Sequence, residues 1–233
     1  VDSLRAAKDD KELTTISEVN RITDKVFADV TREVTAGMTE RELAARLDRM
    51  MREYGTSGPA FGTIVASGPH SARPHHDPTD RPFEVGEPII IDMGASLDGY
   101  AADLTRTIWV GEPTERLKSV YNVVFAANEA AIAGIRAGMT GGEADALARS
   151  VIDAAGHGDE FTHSLGHGLG IKVHEAPSLR KTDEERLEPG QVVTIEPGIY
   201  IEGWGGVRIE DVVVIEPEGA RLLTGAPKHP AFA

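Results

Sequence analysis

The sequence predicts an α+β domain made of two similar halves, with a curved, mostly antiparallel sheet covered by helices. Three observations predict it. Apolar residues recur at helical spacing in paired stretches, and the same short helix-to-helix punctuation occurs twice. Each helix pair then precedes Ile- and Val-rich segments separated by glycine turns. A chain of 233 residues is long enough for one large domain or two intimately packed lobes.

Leu13, Ile16, Val19, Ile22, Val26 and Val30 predict a long amphipathic helix over residues 11–35, with residues 1–10 read as a linker or N-terminal extension. Ala36-Gly37-Met38-Thr39 follows, with Glu42 three residues after the threonine. This is a glycine stop and then a Thr-x-x-Glu capping box. Leu43, Leu47, Met50 and Met51 carry the next helix to about Gly55, and the methionine spacing marks them as core. The punctuation returns as Ala137-Gly138-Met139-Thr140 with Glu143, between helices expected at about 115–136 and 140–155. The halves run from about 11 to 110 and from about 115 to 215.

Composition narrows the function. Cysteine is absent, so disulfides are excluded, a reducing cytoplasm is the expected compartment, and any metal must be held by oxygen and imidazole. A formal charge of -14 would repel a phosphate backbone, which argues against a nucleic-acid partner. Val1 to Arg5 and the mixed charges after them lack a signal-peptide pattern. No apolar run approaches the roughly 20 residues of a membrane helix, so no membrane partner is expected.

Chemistry concentrates on two predicted hairpins. Pro88 to Gly94 reads as a buried strand containing Asp92, and Asp98-Gly99 is a tight-turn signal before the return strand Tyr100–Val110. A turn centred on Asp98-Gly99 sets Asp92 opposite Thr105, whereas one at Leu97-Asp98 sets it opposite Asp103. In either register Asp92 and Asp103 share a face, because side chains alternate. Val192 to Glu196 and Val207 to Val214 form the second hairpin. An odd-numbered loop around Gly203-Gly205 puts Glu196 and Glu210 on one face. Any one of these acids alone reads as a surface or strand-end residue. As a set they are different: Asp92 and Glu196 follow apolar triplets, and four facing carboxylates would repel unless cations lay between them.

The segment Thr162–Glu175 holds His163, His167 and His174 among glycines at 166, 168 and 170, which disfavour a helix. In an extended segment His163 and His167 share a side. His75 and His76 lie in a stiff loop between Pro74 and Pro78, where a histidine is ordinarily structural or exposed. His70, His157 and His229 have no supporting context.

Together these motifs resemble the pita-bread metallopeptidase family, which contains Xaa-Pro aminopeptidases, Xaa-Pro dipeptidases (prolidases) and methionine aminopeptidases. The similarity covers almost the whole chain, in the family's order. It implies five ligands to two divalent metal ions: Asp92 in Ile-Asp-Met-Gly-Ala, Asp103 in Ala-Asp-Leu-Thr-Arg-Thr, His167 in Gly-His-Gly, Glu196 in Ile-Glu-Pro-Gly-Ile-Tyr and Glu210 in Val-Arg-Ile-Glu-Asp. It also implies substrate-handling roles for His75, His163 and His174, a supporting role for Arg208, and proton transfer by Glu196. The stretches around Ser67-Gly68-Pro69, Pro74-His75 and Glu196–Tyr200 look like the proline-specific branch, whose substrate is a peptide with proline at its second position. A methionine aminopeptidase and a non-catalytic peptide-binding relative are the alternatives. Intact ligands argue against the second.

Four carboxylates and one imidazole make a hard donor set, suited to Mn²⁺, with Co²⁺ or Zn²⁺ compatible. Proline-specific relatives usually carry a further N-terminal domain, and Leu4-Arg5 looks like the junction that follows it, so the sequence reads as the catalytic domain alone. Dimerisation in relatives draws on that domain, which leaves a homodimer an open expectation.

Overall fold

Asp9 accepts hydrogen bonds from the Lys11 and Glu12 amides while Glu12 bonds back to the Asp9 amide, a capping box that opens helix α1 (Asp10–Thr31). A computed structural model describes residues 5–228. The Val1–Leu4 part of the leader and junction readings, and His229, lie outside the described residues. Helix α1 buries Ile16, Val19, Val26, Phe27 and Val30 on one face. It stops four residues short of the expected 35. Thr31 Oγ1 bonds back to the Phe27 carbonyl, and the Glu33 and Val34 amides close tighter turns onto Val30 and Thr31. The β-branched run Thr31, Val34, Thr35 favours that exit. Helix α2 (Glu40–Glu53) opens on the anticipated Thr39–Glu42 box and buries Leu43, Leu47 and Met51.

Strand β1 (Ile64–Ser67) pairs with β2 (Ile89–Met93), which pairs with β5 (Leu104–Ile108), all antiparallel. Between β2 and β5 the short strands β3 (Ser96–Leu97) and β4 (Tyr100–Ala101) form the hairpin tip. Asp98 (φ 51°) and Gly99 (φ 85°) are both left-handed, the two-residue turn that matches strand twist. Of the two registers open from sequence, the structure takes the one that sets Asp92 opposite Thr105.

Helix α3 (Glu115–Gly134) and helix α4 (Gly141–Ala154) follow, the second opened by the Thr140–Glu143 box. Then come β6 (Gly166–Gly168), β7 (Glu175–Leu179), β8 (Val192–Ile195), β9 (Gly198–Ile201), β10 (Gly205–Arg208), β11 (Asp211–Glu216) and β12 (Gly219–Leu222). Five of them pair antiparallel in the order β12-β11-β8-β6-β7, and β9 pairs with β10. Glu202, Gly203 and Trp204 make an odd-numbered loop, so Ile201 faces Gly205 and Ile195 faces Asp211 in one continuous register.

The first helix pair and the β1-β2-β5 sheet share one apolar core, containing Val26, Leu47 and Ile91. The second pair and β8, β9, β10 and β11 share another, containing Val124, Ala148, Ile195 and Val213. A smaller cluster of Ile16, Ala101, Leu169, Val192 and Val212 joins them. Among the described residues no helix is long and apolar enough to cross a membrane.

Candidate active site

The ladder of the second hairpin is interrupted between Ile195 and Gly198 and, across from it, between Arg208 and Asp211. Glu196 and Glu210 sit in that gap, opposite each other by register. A side chain bridges the gap: Asn128 on α3 donates to the carbonyls of Ile195 (3.1 Å) and Ile209 (3.3 Å), the residues just before the two glutamates. The Glu210 amide donates to the Thr105 carbonyl at 3.0 Å, which brings the first hairpin and its Asp92 and Asp103 against the second. Arg106, only 1% exposed, reinforces this junction through the carbonyls of Thr105 and Glu210 and the carboxylate of Asp211 (2.8 Å).

All nine residues singled out from sequence line one cavity of about 540 Å³: His75, Asp92, Asp103, His163, His167, His174, Glu196, Arg208 and Glu210. His167 Nε2 lies 3.3 Å from Glu196 and 3.8 Å from Asp103, and donor atoms of Asp103, His167 and Glu210 fall within 4.8 Å of one another. His167 Nδ1 is 3.1 Å from the Gly168 carbonyl, which can only accept. Nδ1 therefore carries the hydrogen, and Nε2 points into the acidic cluster. The His174 ring is 4.1 Å from that of His167, centroid to centroid.

The four acids are not alike. Asp92 is not unpaired: its Oδ2 accepts from Arg208 Nη2 at 2.6 Å, although its Oδ1 is buried without a partner. Glu210 accepts from Thr105 Oγ1 (2.6 Å) and Glu196 from Thr194 Oγ1 (3.1 Å). Burial pushes Asp92, Asp103 and Glu210 above the usual carboxylate range, and the neighbouring carboxylates push in the same direction. Burial opposes ionisation of Glu196 as well, but the hydrogen bond and charge of His167 prevail and hold it at about 2. Burial likewise opposes charge on His167, yet Glu196 and Glu210 raise it to about 9.

Arg208 is 3% exposed and holds four partners: Asp92, Thr105 Oγ1 (3.1 Å), the Tyr200 hydroxyl (2.9 Å) and the Pro74 carbonyl (3.4 Å). Because the guanidinium can only donate, the Tyr200 hydrogen is free for His163 Nε2, 2.9 Å away. Burial first, and Arg208 among the lesser causes, keeps His163 below the ordinary histidine range, so its ring is neutral and Nδ1–H faces the Ser164 carbonyl at 2.8 Å. Sequence reasoning passed over Tyr200, Thr194, Asn128 and Arg106 as functional residues. Tyr200 and Arg106 carried a signal, each lying inside a motif, Ile-Glu-Pro-Gly-Ile-Tyr and Ala-Asp-Leu-Thr-Arg-Thr.

These residues fit divalent cations on two observations. Asp103 and Glu210 are pushed well above the carboxylate range by burial and by like charge, and the buried Asp92 Oδ1 has nothing to accept from.

That conflict has a signature in the metal-free chain. His167 has a folded value of about 9 against 6.5, so its contribution to stability is complete below pH 6.5 and is lost as the pH climbs to 9. The raised carboxyls of Asp103 and Glu210 act with the same sign, since the unfolded chain releases those protons first. The melting temperature of chelator-treated protein is expected to fall between pH 6.5 and 9, and to hold steady with saturating Mn²⁺. A melting temperature that rises over that window without metal contradicts this electrostatic account.

The sequence profile of metallopeptidase family M24 matches residues 14–217. The chain belongs to metallopeptidase family M24. Among curated relatives of this M24 chain, an uncharacterised peptidase of Bacillus subtilis is 46% identical over 98% of the chain and 65% of its own length. An Xaa-Pro dipeptidase of Pyrococcus furiosus is 44% identical over 96% and 64%. Among solved structures, an Xaa-Pro dipeptidase from Bacillus anthracis superposes with a TM-score of 0.96 at 44% identity, covering 98% of the chain and 64% of that protein. An X-Pro aminopeptidase from Thermotoga maritima gives 0.94 at 43% identity, covering 98% and 65%. The M24 chain thus spans just under two thirds of these relatives, and its fold is the pita-bread fold that the motifs imply.

Proposed function

We propose that this M24 domain hydrolyses the peptide bond preceding a proline at the second position, using two divalent ions held by Asp92, Asp103, His167, Glu196 and Glu210. The observation that carries the reading is the convergence of four carboxyls and one imidazole on one cavity of about 540 Å³, with Asp92 Oδ1 buried there without a partner. When bound, two ions supply a Lewis acid for the scissile carbonyl and an acidified water. The hardness of the donor set favours Mn²⁺, and the absence of cysteine fits a reducing cytoplasm.

Glu196 is the proton carrier: it stays ionised, and Thr194 Oγ1 fixes its orientation. His174, on the cavity wall, orients the substrate carbonyl. His163 has both ring nitrogens engaged, so it must take up a proton or change tautomer before it donates to an oxyanion. His75, on the same cavity wall, donates to the scissile peptide or holds the proline ring. Arg180 is exposed on the same cavity wall, and its guanidinium suits the terminal carboxylate of a dipeptide. That favours the dipeptidase over the aminopeptidase reading.

One panel tests this. With Mn²⁺, Ala-Pro is expected to be cleaved, more efficiently than an Ala-Pro peptide extended at its C-terminus, and exhaustive chelation to abolish both activities. Preferential cleavage of a Met-Ala peptide assigns the methionine aminopeptidase alternative instead. No cleavage, together with no bound metal, leaves only peptide binding.

A further inference from the structure

Pro74 and His75 reach the cavity on the segment that runs from Ser67 at the end of β1 to Thr79. Gly206 on β10 pins its near turn, donating to Ser71 Oγ at 2.8 Å. The remainder is gathered by one carboxylate. Glu40, in the first turn of α2 and 0% exposed, accepts at Oε1 from the Ser67 amide (2.8 Å) and hydroxyl (2.9 Å), and at Oε2 from the Thr79 amide (3.0 Å) and hydroxyl (2.8 Å). His76 Nε2 lies 3.0 Å from Oε2, and His70 Nδ1 lies 3.0 Å from Oε1. Both ends of the segment and two of its side chains therefore meet on a single acid from a different element. His70, which sequence reading left without a role, is part of this hub, and His76 has the structural place expected of it.

Glu40, His70 and His76 also bring ligand-type atoms within 4.8 Å of one another. A cation fits poorly there. A carboxylate offers about four lone-pair positions, and the donors of Ser67, Thr79 and His76 already crowd them. Burial works against ionisation of Glu40, but the bonds from His76, Ser67 and Thr79 hold it at about 2, so it persists as an anion gripping donors.

We propose that Glu40 is a positioning residue for the reaction. It fixes the Ser67–Thr79 segment so that His75 meets the substrate and the Pro74 carbonyl stays on Arg208. This rests on the peptidase reading above. A side chain that orients substrate loses up to about 100-fold in rate when misplaced by an ångström.

The test is a double-mutant cycle on the Mn²⁺-loaded chain with Ala-Pro, using Glu40→Gln, His75→Ala and the pair. Metal content and amide hydrogen exchange of residues 68–78 are followed in parallel. Each single change is expected to lower kcat/KM by about 10- to 100-fold. Glu40→Gln keeps the wild-type metal content, and the pair is no worse than His75→Ala. Exchange in 68–78 is expected to quicken in Glu40→Gln while the five ligand segments stay protected. Should Glu40→Gln fold poorly, Thr79→Ala removes one donor and is expected to act in the same direction more weakly. Additive losses, full activity of Glu40→Gln or an unaffected His75→Ala overturns the proposal. So does a metal equivalent lost with Glu40. A wild-type chain inactive on Ala-Pro sinks the peptidase reading alone, and unchanged exchange in Glu40→Gln sinks the positioning claim alone.

Discussion

Asp103→Ala is expected to lose Ala-Pro cleavage by more than about 100-fold, because removing even an outer-shell partner of a metal ligand costs 10- to 100-fold and this change removes a proposed ligand. The informative part is the sign of its effect on stability. Asp103 is 4% exposed and is pushed well above the carboxylate range by burial and by Glu210, Asp92 and Glu196. Without metal it is a liability at neutral pH, since burial and three neighbouring carboxylates penalise its ionised form in the folded chain but not in the unfolded one. The variant's metal-free melting temperature at pH 8 is therefore expected to match or exceed wild type, while the rise on adding Mn²⁺ shrinks. Melting curves with chelator and with Mn²⁺ give both numbers. An undiminished Mn²⁺-induced rise, or full activity, removes Asp103 from the ligand set.

The geometry that makes such an experiment meaningful was written locally. Asp98-Gly99 fixes the first register, the odd loop Glu202–Trp204 fixes the second, and period-two alternation then aligns the acids without any knowledge of the rest of the chain. Both Thr-x-x-Glu boxes worked for the same reason, because a capping box is satisfied within four residues. What escaped was long-range. Glu40 reads as an ordinary acid in a helix's first turn, and nothing near it announces that Ser67, His70, His76 and Thr79 converge there. Strand β5, Leu-Thr-Arg-Thr-Ile, alternates as though Thr105 and Thr107 faced water, yet all five of its residues are buried. The covering layer is the second hairpin: Thr107 Oγ1 bonds Arg208, and Arg106 reaches Asp211 and the Ala226 carbonyl. Polar residues at such a seam are satisfied by partners about a hundred positions away, which no window of sequence contains.

Arg208→Ala is expected to destabilise the metal-free protein by about 3–5 kcal/mol, the usual cost of stripping one partner from a buried ion pair. Three losses combine: Asp92 keeps neither carboxylate oxygen paired, Thr105 loses the donor beside Glu210, and Tyr200 loses the bond that leaves its hydrogen to His163. Arg208→Lys is expected to rescue little. A single ammonium cannot span Asp92, Thr105, Tyr200 and the Pro74 carbonyl, which the guanidinium reaches from one plane. Urea unfolding with and without Mn²⁺ separates charge from packing. If cations neutralise Asp92 in the loaded state, the penalty of Arg208→Ala shrinks when Mn²⁺ is present, and if Asp92 ligates nothing the two penalties are equal. A loss below about 1 kcal/mol without metal, the ordinary worth of an exposed pair, means that Arg208 is not the counter-charge of the cluster.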